Sequence, residues 1–406
     1  MGVIISLFQI IGLNMTTRLE RLLPFFITLF LVVSFVSISL SQIFLALAFV
    51  VLVILLGKKK LKISFPAFFW GMLAYCGLSI VSSVFSVNPE VSLIDSKDLL
   101  LFLIVPLVYM GLRKASDVQR ANLALLVSAY ISIFYSLYQF IFKAAPGERV
   151  QGFMGHYMTL AGVMLLFGAM ALSMFIFVRD KTRFFWGLGF LLSVFTLILT
   201  STRSAWIGMI VAASVVLFFY KPKTLIVIPA ATALILLISP REVKNRALSI
   251  FSTKSYSNAQ RLEYIRAGIQ IIKKFPLLGT GPDTVEMEFQ NPKYGLSDEA
   301  KDNVHLHNNI LQIGAERGLP TLLVWFAFLV WICISLIELV PNKDPTLFPL
   351  AVAAIAVFFA HFAAGLFEYN FADAEIAALF FYMMAVPFAQ ARNLKKPDIP
   401  DPDNRP

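Results

Sequence analysis

Val304-His305-Leu306-His307-Asn308-Asn309-Ile310-Leu311 closes the one extended polar interval of this 406-residue chain, which runs from about Pro240 to Gly318 between two series of apolar segments. Half of the four histidines stand in this short stretch. A chain so poor in titratable side chains has few other places for acid–base chemistry, so the active site is expected here.

The composition on either side fixes the class. Hydrophobic residues make up 58% of the chain and charged ones 14%, with a mean hydropathy of +0.78. Soluble domains carry about a quarter charged residues. The apolar runs are too long for barrel strands, and an open sheet leaves its backbone unsatisfied in hydrocarbon. The expected fold is therefore an all-α polytopic membrane protein. The formal charge of +10 comes from Lys and Arg scattered among short loops, without the basic blocks or basic faces that nucleic acid requires. Cys76 and Cys333 lie in separate apolar runs with no metal-ligand spacing, and read as packing residues.

Twelve apolar segments are candidate spans: about 23–40, 42–57, 65–86, 99–112, 121–142, 157–178, 184–200, 204–220, 224–240, 319–340, 346–366 and 372–391. The organisation is then nine membrane helices over 1–239, a loop over 240–318, three more helices over 319–391, and a tail over 392–406. Leu23 to Leu40 runs on without a small-residue cleavage site, so it reads as the first membrane helix rather than a signal peptide. Lysine and arginine set the orientation: 19 fall on the side that holds the N-terminus and 4 in the short loops opposite. The positive-inside rule thus puts both termini in the cytoplasm and the long loop outside. The last residues, Lys395 to Pro406, are rich in Pro and Asp and are expected to form a disordered tail.

Within the loop, Asn258 is expected to cap a helix from about Ala259 to Lys274, with Leu262, Ile265, Ile269 and Ile272 on its apolar face. Pro276, Gly279, Gly281 and Pro282 end it, and a second helix is expected near His307, passing Gly318 and Pro320 into the tenth span.

Each candidate residue has two readings. Arg203, between two apolar runs, either holds an anion through bidentate hydrogen bonds or snorkels to the interface. Arg261, in the first turn of a helix, is poorly placed for a cation unless an anion lies near; otherwise it is a solvated surface arginine. His307 precedes a helix N-terminus, whose dipole keeps an imidazole neutral as a general base requires, although His305 is an equal candidate and both can be structural. A metal is a further reading of the pair, but no cysteine or well-spaced third ligand accompanies it. His156 is a substrate-binding or packing residue, His361 a helix–helix contact, and Glu368, at a helix end, a partner for one of the arginines.

These residues carry a resemblance. Thr202-Arg203-Ser204-Ala205-Trp206 resembles the Ser/Thr-Arg-small-small-aromatic turn of the bacterial O-antigen ligase and polymerase superfamily. Arg261-Leu262-Glu263-Tyr264 with Pro276-Leu277-Leu278-Gly279-Thr280-Gly281-Pro282 resembles its arginine-helix and "PllGvGp" segment. His307-Asn308-Asn309-Ile310-Leu311 with Glu316-Arg317-Gly318-Leu319-Pro320 resembles its "HNxxL…ExGxxG" segment, with Pro320-Thr321 in place of a frequent second glycine. Arg149-Val150-Gln151-Gly152-Phe153 resembles its "RxxGxf" element.

The resemblance implies a GT-C-like membrane glycosyltransferase of the bacterial inner membrane, with a periplasmic active site and no cofactor or obligatory metal. The implied donor is O-antigen on undecaprenyl diphosphate. The acceptor is lipid A-core oligosaccharide for a ligase, or a growing chain on a second carrier lipid for a polymerase. His307, Arg203 and Arg261 are the implied catalytic residues, and Arg203, Arg261, Arg149, His305, His156 and Glu368 the substrate-binding ones. A protein O-oligosaccharyltransferase, a lipid-linked oligosaccharide flippase and a non-catalytic envelope subunit are the alternatives; a flippase requires midplane charges and repeat symmetry that this chain lacks.

Overall fold

The computed structural model describes residues 15–145, 147–250, 252 and 256–395. Twelve helices carry the argument: α1 Met15–Val33, α2 Ile38–Gly57, α3 Phe69–Val84, α4 Ala115–Phe142, α5 Tyr157–Phe177, α6 Arg183–Thr200, α7 Arg203–Tyr220, α8 Val227–Ile238, α9 Tyr256–Lys274, α10 Asn309–Ile337, α11 Phe348–Gly365 and α12 Ala374–Lys395. Eight of these, α2, α4 to α7 and α10 to α12, are long and apolar enough to cross a membrane. The polytopic class holds.

The remaining expected spans take other forms. The break between the first two falls at 34–37, where Ser37 caps α2 by accepting from the Leu40 N–H, and not near residue 41. The third is the 16-residue α3, and the fourth is a 3-10 segment, Ser96–Leu103, that continues as a short helix over Ile104–Gly111. The ninth is α8, with no buried residue; its 12 residues rise about 18 Å, short of a hydrocarbon core of about 30 Å. Residues 396–406, the expected tail, lie outside the described residues.

Helices α5, α11 and α12 form the centre. Every residue of α5 from Thr159 to Ser173 is buried, as expected of a helix apolar on all sides. It packs on α6 and α11, α11 packs on α7 and α12, and α9 lies against α10. The face that α9 buries is Tyr264, Ala267, Gly268 and Ile271. This corrects the expected stripe, since Leu262, Ile265 and Ile269 are exposed. The small residues Ala267 and Gly268 let the helix approach closely: a Cβ on Gly268 would stand 3.1 Å from Leu306.

The segment after α9 crosses α10 backbone against backbone. Thr280 and Gly281 donate N–H bonds to the carbonyls of Ala315 and Glu316 at 2.9 and 2.8 Å, and Leu319 donates to Pro276 at 2.8 Å. Two glycines make this possible. Gly279 (φ +71) has the Glu316 backbone carbon 2.2 Å from where a Cβ would be, and Gly318 (φ +75), the break in α10, has the Leu277 oxygen at 2.2 Å. Gly279→Ala and Gly318→Ala should each lose at least about 3 kcal/mol, the left-handed penalty plus the clash. Gly295→Ala, with φ +63 but nothing within 4 Å, should lose about 1–2 kcal/mol. Thermal unfolding in detergent ranks the three.

Candidate active site

The sequence His307-Asn308-Asn309 builds the site by tying the start of α10 to the loop between α11 and α12. Asn308 caps α10, its Oδ1 accepting from the Ile310 and Leu311 N–H groups at 2.9 and 3.0 Å, while its amide donates to the Leu366 carbonyl at 2.8 Å. Asn309 donates to Asn370 Oδ1 at 2.8 Å and accepts from the Asn370 and Phe371 N–H groups. These bonds bring residue 368 beside residue 307. His307, at φ +49, holds the left-handed conformation that non-glycine residues seldom adopt outside constrained sites.

Glu368 pairs with His307: Nδ1 lies 2.8 Å from Oε1, with side-chain exposures of 17% and 12%. The expectation that Glu368 pairs with an arginine is corrected here, although Arg261 still acts on it electrostatically. A proton on Nδ1 leaves Nε2 as the acceptor nitrogen. Asn303 Oδ1 stands 3.4 Å from Nε2, long for a hydrogen bond, so no close partner holds that nitrogen among the described residues. Tyr264 backs the imidazole, with ring centroids 5.5 Å apart, and takes a 2.6 Å bond from the Asn303 amide that fixes which way Asn303 points.

Burial alone would push the Glu368 carboxyl up. The bond from His307 and its charge, then Arg261 and His305, outweigh burial and hold it below its ordinary value of 4.5. A carboxyl lowered by folding contributes stability above its unfolded value, and that stability is lost as pH falls through the folded one. The unfolding temperature of the wild type should therefore drop below about pH 4.5, and Glu368→Gln should lose stability at neutral pH and flatten that acid limb. His305 is half-buried, and burial, then His307, holds its imidazole below the ordinary value.

Four arginines face the same end. Arg203 opens α7 after a tight turn in which Ser201 takes φ +52. It is 5% exposed, and its two terminal nitrogens donate to the Ser249 carbonyl, Ser249 Oγ, Ser257 Oγ and Asn258 Oδ1 at 2.5–2.9 Å. It neither snorkels nor offers a free fork. Asn258 is not the cap of α9, which begins earlier, at Tyr256; its amide binds the carbonyls of Ser249, Ile250 and Ser252. Arg203 and Asn258 thus clamp the start of the loop onto the membrane helices.

Arg246, on the short helix Arg241–Leu248, donates from Nε to the Ser201 carbonyl at 3.3 Å. Burial, then Arg149 and Arg261, lowers its pKa. Arg261 is half-buried, and burial lowers its pKa against the pull of Glu368 and Tyr157; among the described residues no hydrogen bond or ion pair satisfies its guanidinium. Arg149 stacks on Tyr157, 4.4 Å from the ring centroid. Mutually repelling, incompletely paired guanidinium groups make a basin for an anion. Arg246 was not legible in the sequence, because no motif marks it.

His156 and His305 line a cavity of about 90 Å³ together with Glu368. His361 is buried in α11 against Phe380 and is not among the residues that line this cavity. Glu316 and Arg317 pair at 2.8 Å beneath the site, and Gln312 bridges Glu316 to the Leu306 N–H, steadying the segment between the two histidines. Among the described residues no group of three or more His, Cys, Asp or Glu is assembled as a metal site.

Residues 188–326 match the family model described as O-antigen ligase. The match holds Arg203, Arg246, Arg261, His305 and His307, while Arg149, His156 and Glu368 lie outside it. It supports placing the chain in the O-antigen ligase and polymerase family, whose activity is that of membrane glycosyltransferases. No curated protein matches the chain.

Proposed function

We propose, from an O-antigen ligase domain over residues 188–326 set on this geometry, that the protein transfers O-antigen from undecaprenyl diphosphate to a hydroxyl of lipid A-core oligosaccharide at the periplasmic face of the inner membrane. The observation that carries the reading is the His307–Glu368 pair beside a basin of arginines.

The acceptor oxygen attacks the anomeric carbon from the face opposite the diphosphate, its proton passes to His307 Nε2, and the C–O bond to phosphate breaks with its electron pair on undecaprenyl diphosphate. The configuration inverts. Glu368 holds the tautomer and stabilises the imidazolium as it forms. Arg261, Arg246 and Arg149 meet the charge developing on the leaving diphosphate, where each fixed donor is worth about 3 kcal/mol. Arg203 is a positioning residue in this account, because its terminal nitrogens are already committed to Ser249, Ser257 and Asn258.

The test is transfer by the purified protein with labelled undecaprenyl-diphosphate-linked O-antigen, EDTA, and either lipid A-core or a second carrier-linked glycan as acceptor. Label on lipid A-core supports the ligase. Label only in a lengthened carrier-linked chain assigns the polymerase reaction instead, and transfer to neither acceptor removes the reading.

A further inference from the structure

The cavity of about 90 Å³ lies between α5, the start of α7 and the loop before α12. At about 30 Å³ per water it has room for roughly three water molecules, enough for the hydroxyl-bearing edge of one sugar ring. Its walls are half polar and half apolar, and the polar half is firmly held. Thr159 donates to Asp373 Oδ2 at 2.7 Å, and Asp373 Oδ1 accepts from the Ile376 N–H at 3.2 Å. Ser204 and Asn370 add a hydroxyl and an amide. Glu368, whose Oε1 serves His307 and the Tyr369 N–H, has no partner for its buried Oε2 among the described residues. A buried acceptor without a donor costs about 1–3 kcal/mol; with its own surface closed off, Oε2 adds negative charge behind the wall rather than a contact for a ligand.

The charges on this wall are the reverse of those next door. Two carboxylates, Glu368 and Asp373, line the cavity and neither Lys nor Arg does, while the arginine beside Ser204 turns away to Ser249 and Asn258. The geometry points to a monosaccharide subsite that takes one hydroxyl-rich, uncharged or amino-bearing sugar ring and rejects an acidic or phosphorylated one. The inference rests on the glycosyltransferase reading for its substrate class. The ring is either the first sugar of the donor or the sugar that bears the acceptor hydroxyl.

Thermal unfolding of the full chain in detergent with D-glucose, D-glucosamine or D-glucuronate reads the subsite without any transfer. Glucose and glucosamine should raise the midpoint of the wild type. Ser204→Leu, which fills the cavity, and Asp373→Asn, which keeps the bond from Ile376, should retain only the small general effect of dissolved sugar. Glucuronate should give only that general effect even with the wild type. In transfer, Asp373→Asn should raise KM about tenfold, the loss of one charged hydrogen bond, and Ser204→Leu should raise the same KM by occluding the cavity; the effect falls on the donor alone or on the acceptor alone, and the substrate affected identifies the ring. Equal sugar effects in wild type and both variants, or glucuronate as effective as glucose, would overturn the subsite. Sugar-specific stabilisation without any transfer would instead support the subsite and count against the glycosyltransferase reading.

Discussion

His307→Ala should lower kcat by about two to four orders of magnitude, the range a general base supplies, with little change in KM for either substrate. The imidazole is held by Glu368 on one nitrogen and backed by Tyr264, with only a 3.4 Å contact to Asn303 on the other. Its removal takes away the proton acceptor but leaves the arginine basin intact. His305→Ala should be milder, because His305 lines the cavity and has no carboxylate bond among the described residues. Glu368→Gln should fall between them, losing the charge that stabilises the imidazolium. Rates of O-antigen transfer to lipid A-core with saturating donor check the order. If His305→Ala lost more than His307→Ala, the base assignment would move by two residues.

The second large effect separates two arginines that the sequence treats alike. Arg261→Ala should cut kcat/KM for the donor by about 10²- to 10³-fold and leave the unfolding temperature nearly unchanged, since Arg261 has no intramolecular hydrogen bond among the described residues to lose. Arg203→Ala should destabilise the fold by about 3 kcal/mol or more. It strips donors from the Ser249 carbonyl and hydroxyl, Ser257 and Asn258 together. Arg203→Lys should not restore it, because a single ammonium cannot span the two forks. Parallel unfolding curves and donor titrations distinguish the two losses.

Why the sequence treats them alike is a matter of range. Local signals were legible: the apolar runs, the glycines at 279 and 318, and the histidines set before a helix; the cap at Asn308 was not, and the one expected at Asn258 lies inside α9. What the glycines do was not, because Gly279 and Gly318 meet each other's segments only when 276–281 crosses 315–319. Likewise Glu368 lies 61 residues from its histidine, and only the Asn309–Asn370 bonds bring it there. Charge pairing by sign alone assigned it to an arginine. The spacing of Leu262, Ile265 and Ile269 was truly helical, yet the buried face is set by Ala267 and Gly268, whose size, not hydrophobicity, admits Leu306. Periodicity finds a helix and cannot say which face a neighbour fits. Apolar composition over 224–240 likewise says nothing about the 3-10 turn, Pro222–Ile226, that leads into α8 and takes up part of that span.

The proposed mechanism seats a lipid diphosphate among Arg261, Arg246 and Arg149 beside His307. The measurement that tests it most directly is equilibrium binding of undecaprenyl diphosphate, against undecaprenol, to the purified wild type and to Arg261→Ala at several salt concentrations. The account predicts that the diphosphate binds at least about tenfold more tightly than the alcohol, that salt weakens the difference, and that Arg261→Ala removes most of it. Equal affinity for the two lipids, or a diphosphate preference untouched by Arg261→Ala, would contradict it.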